Sequence, residues 1–116
     1  MTPILFPYKR VSGRFEPIIS VGIAIQSNWQ SLRMYVDSGA MYSILKSSLA
    51  DDLGFDYRTG ERLYLQVGSG GLMAVYIHQL EMQIGRERFS CRVGFSSQLG
   101  VPFHILGRVD VFERFK

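Results

Sequence analysis

Short runs of apolar residues alternate with polar or Gly-rich turns along most of the chain. The stretch Pro17–Ile25 is rich in β-branched residues, residues 26–28 are polar, and Trp29–Val36 again has a strand-like composition. Two such runs joined by a short polar turn are typical of a β-hairpin. The first pair of strands is therefore predicted within residues 17–36.

The period of the apolar positions changes after residue 42. Apolar side chains then recur at helical spacing, at Ile44, Leu45, Leu49 and Leu53. Ser43 is a residue type that caps helix N-termini, and Gly54 is typical of the position just after a helix. A short helix is predicted between them.

Strand patterns return after residue 62. The predicted strands are Leu63–Val67, Leu72–Ile77, Leu80–Ile84, Phe89–Phe95 and Phe103–Leu106. The Gly-rich segment 68–71 predicts a flexible hairpin tip between the first two. In the tail Val109–Phe115, Phe112 and Phe115 are three residues apart, which predicts a short terminal helix packed on the sheet. Residues 1–14, with Ile4–Phe6, are predicted to form an extended arm before the domain proper.

Length and composition favour one folded domain that spans residues 1–116, mostly β with one or two short helices. Hydrophobic residues make up 47% of the chain and charged residues 20%, as in ordinary soluble proteins. The net charge of +3 comes from scattered Lys and Arg residues, so no basic stripe predicts nucleic-acid binding.

Cysteine content and hydropathy bear on the cellular location. Cys91 is the single cysteine, so an intrachain disulfide is excluded and a reducing compartment is the default. No stretch reaches the roughly 18 apolar residues of a membrane span, and the first ten residues lack the apolar core of a signal peptide. A cytoplasmic protein with no membrane association is expected.

The segment with the most chemical information is Asp37–Ala40, which follows the strand residues Tyr35 and Val36 directly. A carboxylate on a tight turn at the end of a buried strand is held rigidly yet stays open to a cleft. Gly39 allows close approach of the backbone, and the hydroxyl of Ser38 can bond to it. The same residue types also build ordinary solvated turns, so the tetrapeptide alone leaves both interpretations open.

Three other chemistries are disfavoured by their context. A phosphate loop at 68–71 would need a following Lys and a helix, but a strand pattern follows instead. Ser38 lacks a Gly-x-Ser-x-Gly setting and an indicated base, although His78 and His104 exist in the chain. A zinc site from His78, Cys91 and His104 would use single ligands at irregular spacing. No metal and no cofactor are expected.

The aspartate motif resembles that of the retropepsin-like aspartic proteases. Three further features follow it in the same order as in that family. The segment after it ends in Leu53 and Gly54, as the family's short helix does, and the Gly-rich hairpin Val67–Leu72 stands in the place of the family's flap. Near the end, Ile105–Arg108 matches the family motif of two hydrophobic residues, Gly and Arg. The resemblance covers about residues 17–113.

The resemblance implies a closed, mostly antiparallel all-β barrel of the acid-protease type, with one lobe per chain. It implies that Asp37 is the catalytic carboxylate, and since the chain carries one such motif, a second copy would supply the partner Asp37. The remaining implied site residues are the turn supports Ser38, Gly39 and Ala40, the flap residues Val67, Gly68, Ser69, Gly70 and Gly71, and the structural supports Ile105, Leu106, Gly107 and Arg108.

The implied function is hydrolysis of extended peptides by a water activated between two Asp37 carboxylates on a homodimer axis. The expected partners are a peptide or protein substrate and a second copy of the chain. The alternative is a retropepsin-like dimerisation or peptide-binding module with little or no hydrolysis, because a fold does not guarantee activity. Retroviral members pair the Arg of the last motif with an acidic residue at the position of Met41, so the sequence leaves the partner of Arg108 open.

Overall fold

The computed structural model describes residues 9–11, 14–67 and 70–115, and within them the chain is mostly strand, as predicted. The strands are β1 Lys9–Val11, β2 Arg14–Glu16, β3 Ile18–Ile25, β4 Asn28–Val36, β5 Ser43–Lys46, β6 Glu61–Gln66, β7 Leu72–Ile84, β8 Glu87–Ser96 and β9 His104–Leu106. The helices are α1 Ser47–Asp52 and two 3₁₀ turns, Tyr57–Thr59 and Phe112–Phe115. In these described segments, no helix has the length and apolar character needed to cross a bilayer.

Six strands form a closed barrel in the order β3-β4-β9-β5-β8-β7. The barrel closes because β3 also pairs with β7, through Gly22 with Gln83 and Ile23 with Met82. The pairs β4–β9 and β5–β8 are parallel and the others are antiparallel. Closure removes exposed strand edges from the barrel, and the predicted acid-protease barrel is confirmed. The strand β6 lies outside this ring and pairs with β7 alone.

The predicted first hairpin is confirmed as β3 and β4. Its turn consists of Gln26 and Ser27, which have φ angles of 51° and 67°. Positive φ at both central residues is the geometry of tight hairpin turns whose twist matches that of the strands. Asn28, which the sequence pattern placed in the turn, is the first residue of β4. Alternate side chains of β3 are buried in the barrel, as expected for a strand with one core face.

The helix predicted from Ser43 begins four residues later. Ser43–Lys46 is the strand β5, which pairs with β8 on one side and with β9 on the other. Three of its residues in a row are buried, and a short, fully buried strand cannot be distinguished from a helix by periodicity alone. Gly54, with φ of 68°, follows the helix in the left-handed conformation, so the predicted end is confirmed.

The strands predicted separately at Leu72–Ile77 and Leu80–Ile84 are one strand, β7. Its first half pairs with β6 and its second half with β8 and β3. The polar residues His78 and Gln79 gave the pattern an apparent break, but the backbone passes through them without interruption. One side-chain nitrogen of His78 lies 2.7 Å from the carbonyl oxygen of Tyr57. A single strand therefore belongs to both the barrel and the β6–β7 hairpin.

The main hydrophobic core fills the barrel. Cys91 lies in this core, and burial raises the pKa of its thiol to about 12, so the sulfur stays protonated at neutral pH. The predicted terminal helix is the 3₁₀ turn Phe112–Phe115, and both phenylalanines pack against this core. Of the arm predicted at residues 1–14, residues 1–8, 12 and 13 lie outside the described residues, and β1 pairs with β2 in a separate two-stranded sheet.

Replacing Phe95 by Ala is expected to lower the free energy of unfolding by about 3–5 kcal/mol. The ring is fully buried and lies 5.5 Å from the ring of Phe55 and 6.0 Å from that of Tyr57, centroid to centroid. Tyr64→Ala is the control, since this aromatic side chain is 57% exposed, and it should change stability by less than about 0.5 kcal/mol. Urea unfolding measures both, and equal losses would contradict the assignment of Phe95 to the core.

Candidate active site

The aspartate turn, Asp37–Ala40, leaves the barrel at the end of β4. Its carboxylate is half-buried and accepts a hydrogen bond of 2.9 Å from the backbone N–H of Gly39. The N–H of Ala40 donates to the carbonyl of Asp37 at 3.1 Å. These two bonds close a turn in which the carboxylate binds its own backbone two residues on, a habit of Asp in tight turns. The acidic group is thus held in one orientation while part of it faces solvent.

A second segment of chain, residues 106–109, supports this turn from below. The N–H of Asp37 donates to the carbonyl of Leu106 at 3.0 Å, and the N–H of Arg108 donates to the carbonyl of Ala40 at 3.0 Å. One residue further, the N–H of Val109 donates to the carbonyl of Met41 at 2.8 Å. The turn is therefore bonded at both ends to residues 106–109, a segment that overlaps the supports Ile105–Arg108 implied by the resemblance.

Gly107 and Ser43 make the tightest part of this support. A Cβ atom at Gly107 would collide with the backbone of Tyr42 and would lie 2.9 Å from the nitrogen of Ser43. The N–H of Gly107 donates to the hydroxyl oxygen of Ser43 at 3.0 Å, and Ser43 is fully buried. Ser43 was predicted as a helix cap, which is wrong; its hydroxyl instead satisfies a buried backbone group under the turn.

An open cleft of about 810 Å³ begins at the aspartate turn. Its volume is in the range of ligand-binding clefts. Asp37 and Arg108 are the charged side chains that line it in the described part of the chain. The rest of the lining is mostly apolar and comes from Ala40, Met41, Ile44, Leu65, Val67, Met73, Leu99, Val101 and Ile105, with Gly39, Gly100, Gln66 and Gln98. A second apolar cluster, built around Ile44, Met73, Val75, Ile77 and Ile105, lies under this cleft.

The β6–β7 hairpin contributes to the same cleft as the aspartate turn. Leu65, Gln66 and Val67 of its first arm line the same cleft as Asp37. At its tip, the N–H of Val67 donates to the carbonyl of Gly71 and the N–H of Gly70 donates to the carbonyl of Val67, both at 2.9 Å. Gly70 has a φ of 92°, which favours Gly. The predicted tip residues Gly68 and Ser69 lie outside the described residues.

Comparison with known proteins agrees with this arrangement. A family model described as aspartyl protease matches residues 22–106. The chain belongs to the aspartyl protease family. No curated protein matches its sequence.

Two solved structures show that the fold of this aspartyl protease family member is retropepsin-like. A retropepsin-like aspartic protease from Rickettsia conorii has 19% identity and a TM-score of 0.67, covering 96% of this chain and 88% of its own. The EIAV protease in complex with the inhibitor HBY-793 has 22% identity and a TM-score of 0.59, covering 84% of this chain and 86% of its own.

One wall of the cleft was missed by the sequence analysis. The loop between β8 and β9 contributes Gln98, Leu99, Gly100 and Val101 to the lining. The sequence of this loop gave little indication of a role in the cleft, because Gly100 and Pro102 indicate only a turn before β9. The loop passes beside the cleft because β8 and β9 both pair with β5, which holds the two ends of the loop at one side of the barrel.

The structure also answers the question left open at Arg108. Its side chain is exposed and has no ion-pair partner among the described residues, while Met41 beside it is 50% exposed. The carboxylate that follows, Asp110, binds Arg92 instead, with a nitrogen–oxygen distance of 2.8 Å. Hydrogen bonds from Arg92 hold the pKa of Asp110 below its ordinary value. This ion pair fastens the terminal segment to β8 rather than to the aspartate turn.

The disfavoured chemistries gain no support from the geometry. Across the segments that the structure describes, no three His, Cys, Asp or Glu side chains lie close enough to hold a metal ion. Ser38 is exposed on the aspartate turn, whereas His78 bonds to Tyr57 and His104 to Lys46. The histidines therefore have structural partners away from the Ser38 hydroxyl.

Ser43→Ala is expected to destabilise the fold by about 1–3 kcal/mol, because it leaves the buried N–H of Gly107 without an acceptor. The Gly107 amide should also exchange its hydrogen faster, which NMR detects directly. Ser31→Ala is the matched control, since Ser31 is exposed on β4, and its effect should be below about 0.5 kcal/mol. Wild-type protection of Gly107 in the Ser43 variant would show that the hydroxyl is dispensable.

Acid is expected to destabilise the fold through His104. The N–H of Lys46 donates to Nδ1 of His104 at 3.1 Å, which requires that nitrogen to be unprotonated. Burial, with a smaller contribution from the Lys46 charge, lowers the pKa of His104 below its ordinary value of 6.5. As pH falls through about 6.5, the unfolded chain therefore binds more protons than the folded one, and stability decreases until the folded-state pKa is passed.

Denaturant unfolding between about pH 7.5 and 5.5 tests this effect. In His104→Asn, a side-chain oxygen can replace the accepting nitrogen and cannot be protonated in this range. The variant should therefore lose stability less steeply than the wild type over the same interval. Parallel curves would exclude His104 as the source of the acid sensitivity.

Proposed function

We propose that this chain is an aspartic endopeptidase that hydrolyses extended peptides with a water activated by two Asp37 carboxylates. The observation that carries the proposal is the position of Asp37, half-buried on a doubly supported turn at the start of a large cleft. Membership of the aspartyl protease family supports the same reaction class. The chain has one such turn, so the second carboxylate comes from another copy.

The exposed surface of the turn supports assembly of the pair on a twofold axis. Ser38 and Gly39 are exposed, so two copies can approach through this face without unfolding the turn. A twofold axis through it brings the same residues of both chains together. Ser38 has no side-chain partner among the described residues of its own chain, and we assign its hydroxyl to contacts near the axis. The site is complete only in the dimer.

Two carboxylates packed together share one proton, because both cannot ionise at close range, as is general for aspartic proteases. The ionised carboxylate takes a proton from a water, and the water oxygen bonds to the scissile carbonyl carbon. The protonated carboxyl donates a hydrogen bond to the carbonyl oxygen. A proton then passes to the leaving nitrogen as the C–N bond breaks. The pair titrates as a unit, so neither copy of Asp37 is permanently acid or base.

The β6–β7 hairpin is proposed to close over the peptide as a flap. An extended peptide has free backbone N–H and C=O groups that can pair with the hairpin, as in other cases of strand addition. The mostly apolar lining, with Ile44, Leu65, Val101 and Ile105, favours apolar side chains next to the cleaved bond. Closure of such a hairpin excludes water other than the attacking one.

Asp37→Asn is expected to abolish peptide cleavage while preserving the fold, because the amide cannot share or accept the catalytic proton. Asp51→Asn is the matched control, an identical change on an exposed helix residue, and should cleave like the wild type. A diverse peptide mixture read by mass spectrometry, from acidic to neutral pH, measures all three proteins. Activity per chain should also fall on dilution, since the site needs two copies.

Cleavage by Asp37→Asn at the wild-type rate would refute the assignment of the catalytic carboxylate. Absence of cleavage by a wild type that is shown to be dimeric would favour a peptide-binding or dimerisation module. A strictly monomeric wild type that still cleaves would contradict the shared-carboxylate mechanism.

A further inference from the structure

The strands β7 and β8 separate at the point where β7 enters the β6–β7 hairpin. Their pairing runs from Ile84 with Glu87 to Tyr76 with Phe95. Continuing that register would place Ala74 opposite Ser97, but β8 ends at Ser96 and the chain turns along the cleft. Backbone groups at such an edge must find other partners or bind water.

Two side chains take over the bonding at Ala74. Its N–H donates to the side-chain oxygen Oε1 of Gln98 at 2.7 Å, and the hydroxyl of Ser96 donates to its carbonyl at 2.8 Å. The N–H of Gln98 in turn donates to the hydroxyl oxygen of Ser96 at 3.0 Å. We call these three residues the hairpin latch. They extend the contact between β7 and β8 by side chains to Ala74, two residues beyond Tyr76, which is the last β7 residue in the backbone pairing.

The latch joins the two parts of the cleft that are otherwise separate in the chain. Ala74 pairs with Tyr64 across the hairpin, and its neighbour Met73 lines the cleft. Gln98 lines the cleft from the β8–β9 loop, with Leu99 and Val101 after it. Ser96 is 2% exposed and does not line the cleft, so it acts from behind this contact. Movement of the hairpin relative to the wall must stretch or break these bonds.

We propose that Gln98 and Ser96 are positioning residues that couple closure of the hairpin to the cleft wall and thereby set substrate affinity. The catalytic consequence rests on the proposed function, whereas the mechanical link is a property of the fold itself. With the latch formed, the hairpin and the Gln98–Val101 wall present one preformed surface to a peptide. With it broken, part of the binding free energy is used to order the hairpin.

Hydrogen exchange measured by NMR on wild type, Gln98→Met and Gln98→Glu tests the link without any substrate. Met matches the length of Gln but has no good acceptor, whereas Glu keeps an oxygen at the same place. Gln98→Met should accelerate exchange of the Ala74 amide and of its hairpin neighbours by about three- to tenfold, the usual net effect of one neutral hydrogen bond. Gln98→Glu should stay near wild type, and the barrel amide of Val93 should be unchanged in both.

Peptide cleavage by Ser96→Ala and Gln98→Met measures the consequence for substrate. Both variants should raise KM by about three- to tenfold with a smaller change in kcat, because the lost bonds order the hairpin and do not contact the reacting atoms. Ser90→Ala, an exposed serine of the same strand, is the matched control and should leave KM unchanged. The KM of Ser96→Ala is the decisive measurement. Because this side chain does not line the cleft, a higher KM cannot come from a lost contact with the substrate.

The outcomes separate this inference from the proposed function. Wild-type exchange at Ala74 in Gln98→Met, or equal acceleration at Val93, would overturn the latch. An unchanged KM in an active Ser96→Ala enzyme would overturn its coupling to substrate. Absence of cleavage by every protein, wild type included, would contradict the proposed function alone, and the exchange rates would then still decide whether the latch exists.

Discussion

The arrangement of this site depends on the backbone hydrogen bonds between the aspartate turn and residues 106–109. A carboxylate at a chain turn would ordinarily move with its loop, because turns have few partners of their own. Here the residues on both sides of the turn bond to one segment, residues 106–109, and Gly107 lets that segment approach so closely that a Cβ would not fit. The backbone of Asp37 is therefore positioned by the barrel, and its carboxylate is oriented by the N–H of Gly39 within the turn.

The closed barrel makes this support possible. The strand β9 has only three residues, yet it pairs with β4 on one side and with β5 on the other. It brings Leu106 and Gly107 beneath the end of β4, from which the aspartate turn leaves. The buried hydroxyl of Ser43, at the start of β5, accepts a hydrogen bond from the backbone N–H of Gly107. Without this hydroxyl, the close approach would leave that N–H without an acceptor. Packing and hydrogen bonding thus reinforce the same geometry.

The other side of the cleft is built on a different principle. The hairpin that lines the cleft together with Asp37 includes the first half of β7, a strand whose second half belongs to the barrel. Its base is bonded through side chains, at Ser96 and Gln98, and its tip by two turn hydrogen bonds. Among the described residues β6 pairs with β7 alone, whereas the aspartate turn is bonded at both ends to residues 106–109.

Local sequence patterns were sufficient to predict a strand wherever one of its faces was buried and the other exposed. The alternation in β3 and β4, and Gly54 after the helix, were readable because each residue's role follows from its neighbours in sequence. The pattern failed at β5, where burial on both faces erased the alternation, and at His78 and Gln79, whose partners are distant in the chain. The role of Gln98 could not be predicted from the sequence, since the function of a polar loop residue depends on the residue that it contacts in the folded chain.

The sequence by itself determined the mostly-β pattern and the acidic turn, because these depend on residue type and order, which local physical chemistry constrains directly. The closed barrel and the protease family were predicted from the resemblance of two motifs, Asp37–Ala40 and Ile105–Arg108, to a known family. Only the tertiary structure decided that Ser43 supports Gly107, that Asp110 binds Arg92 instead of Arg108, and that the β8–β9 loop forms a wall of the cleft. Each of those contacts joins residues far apart in the chain. Their geometry is set by barrel closure, which no local pattern encodes.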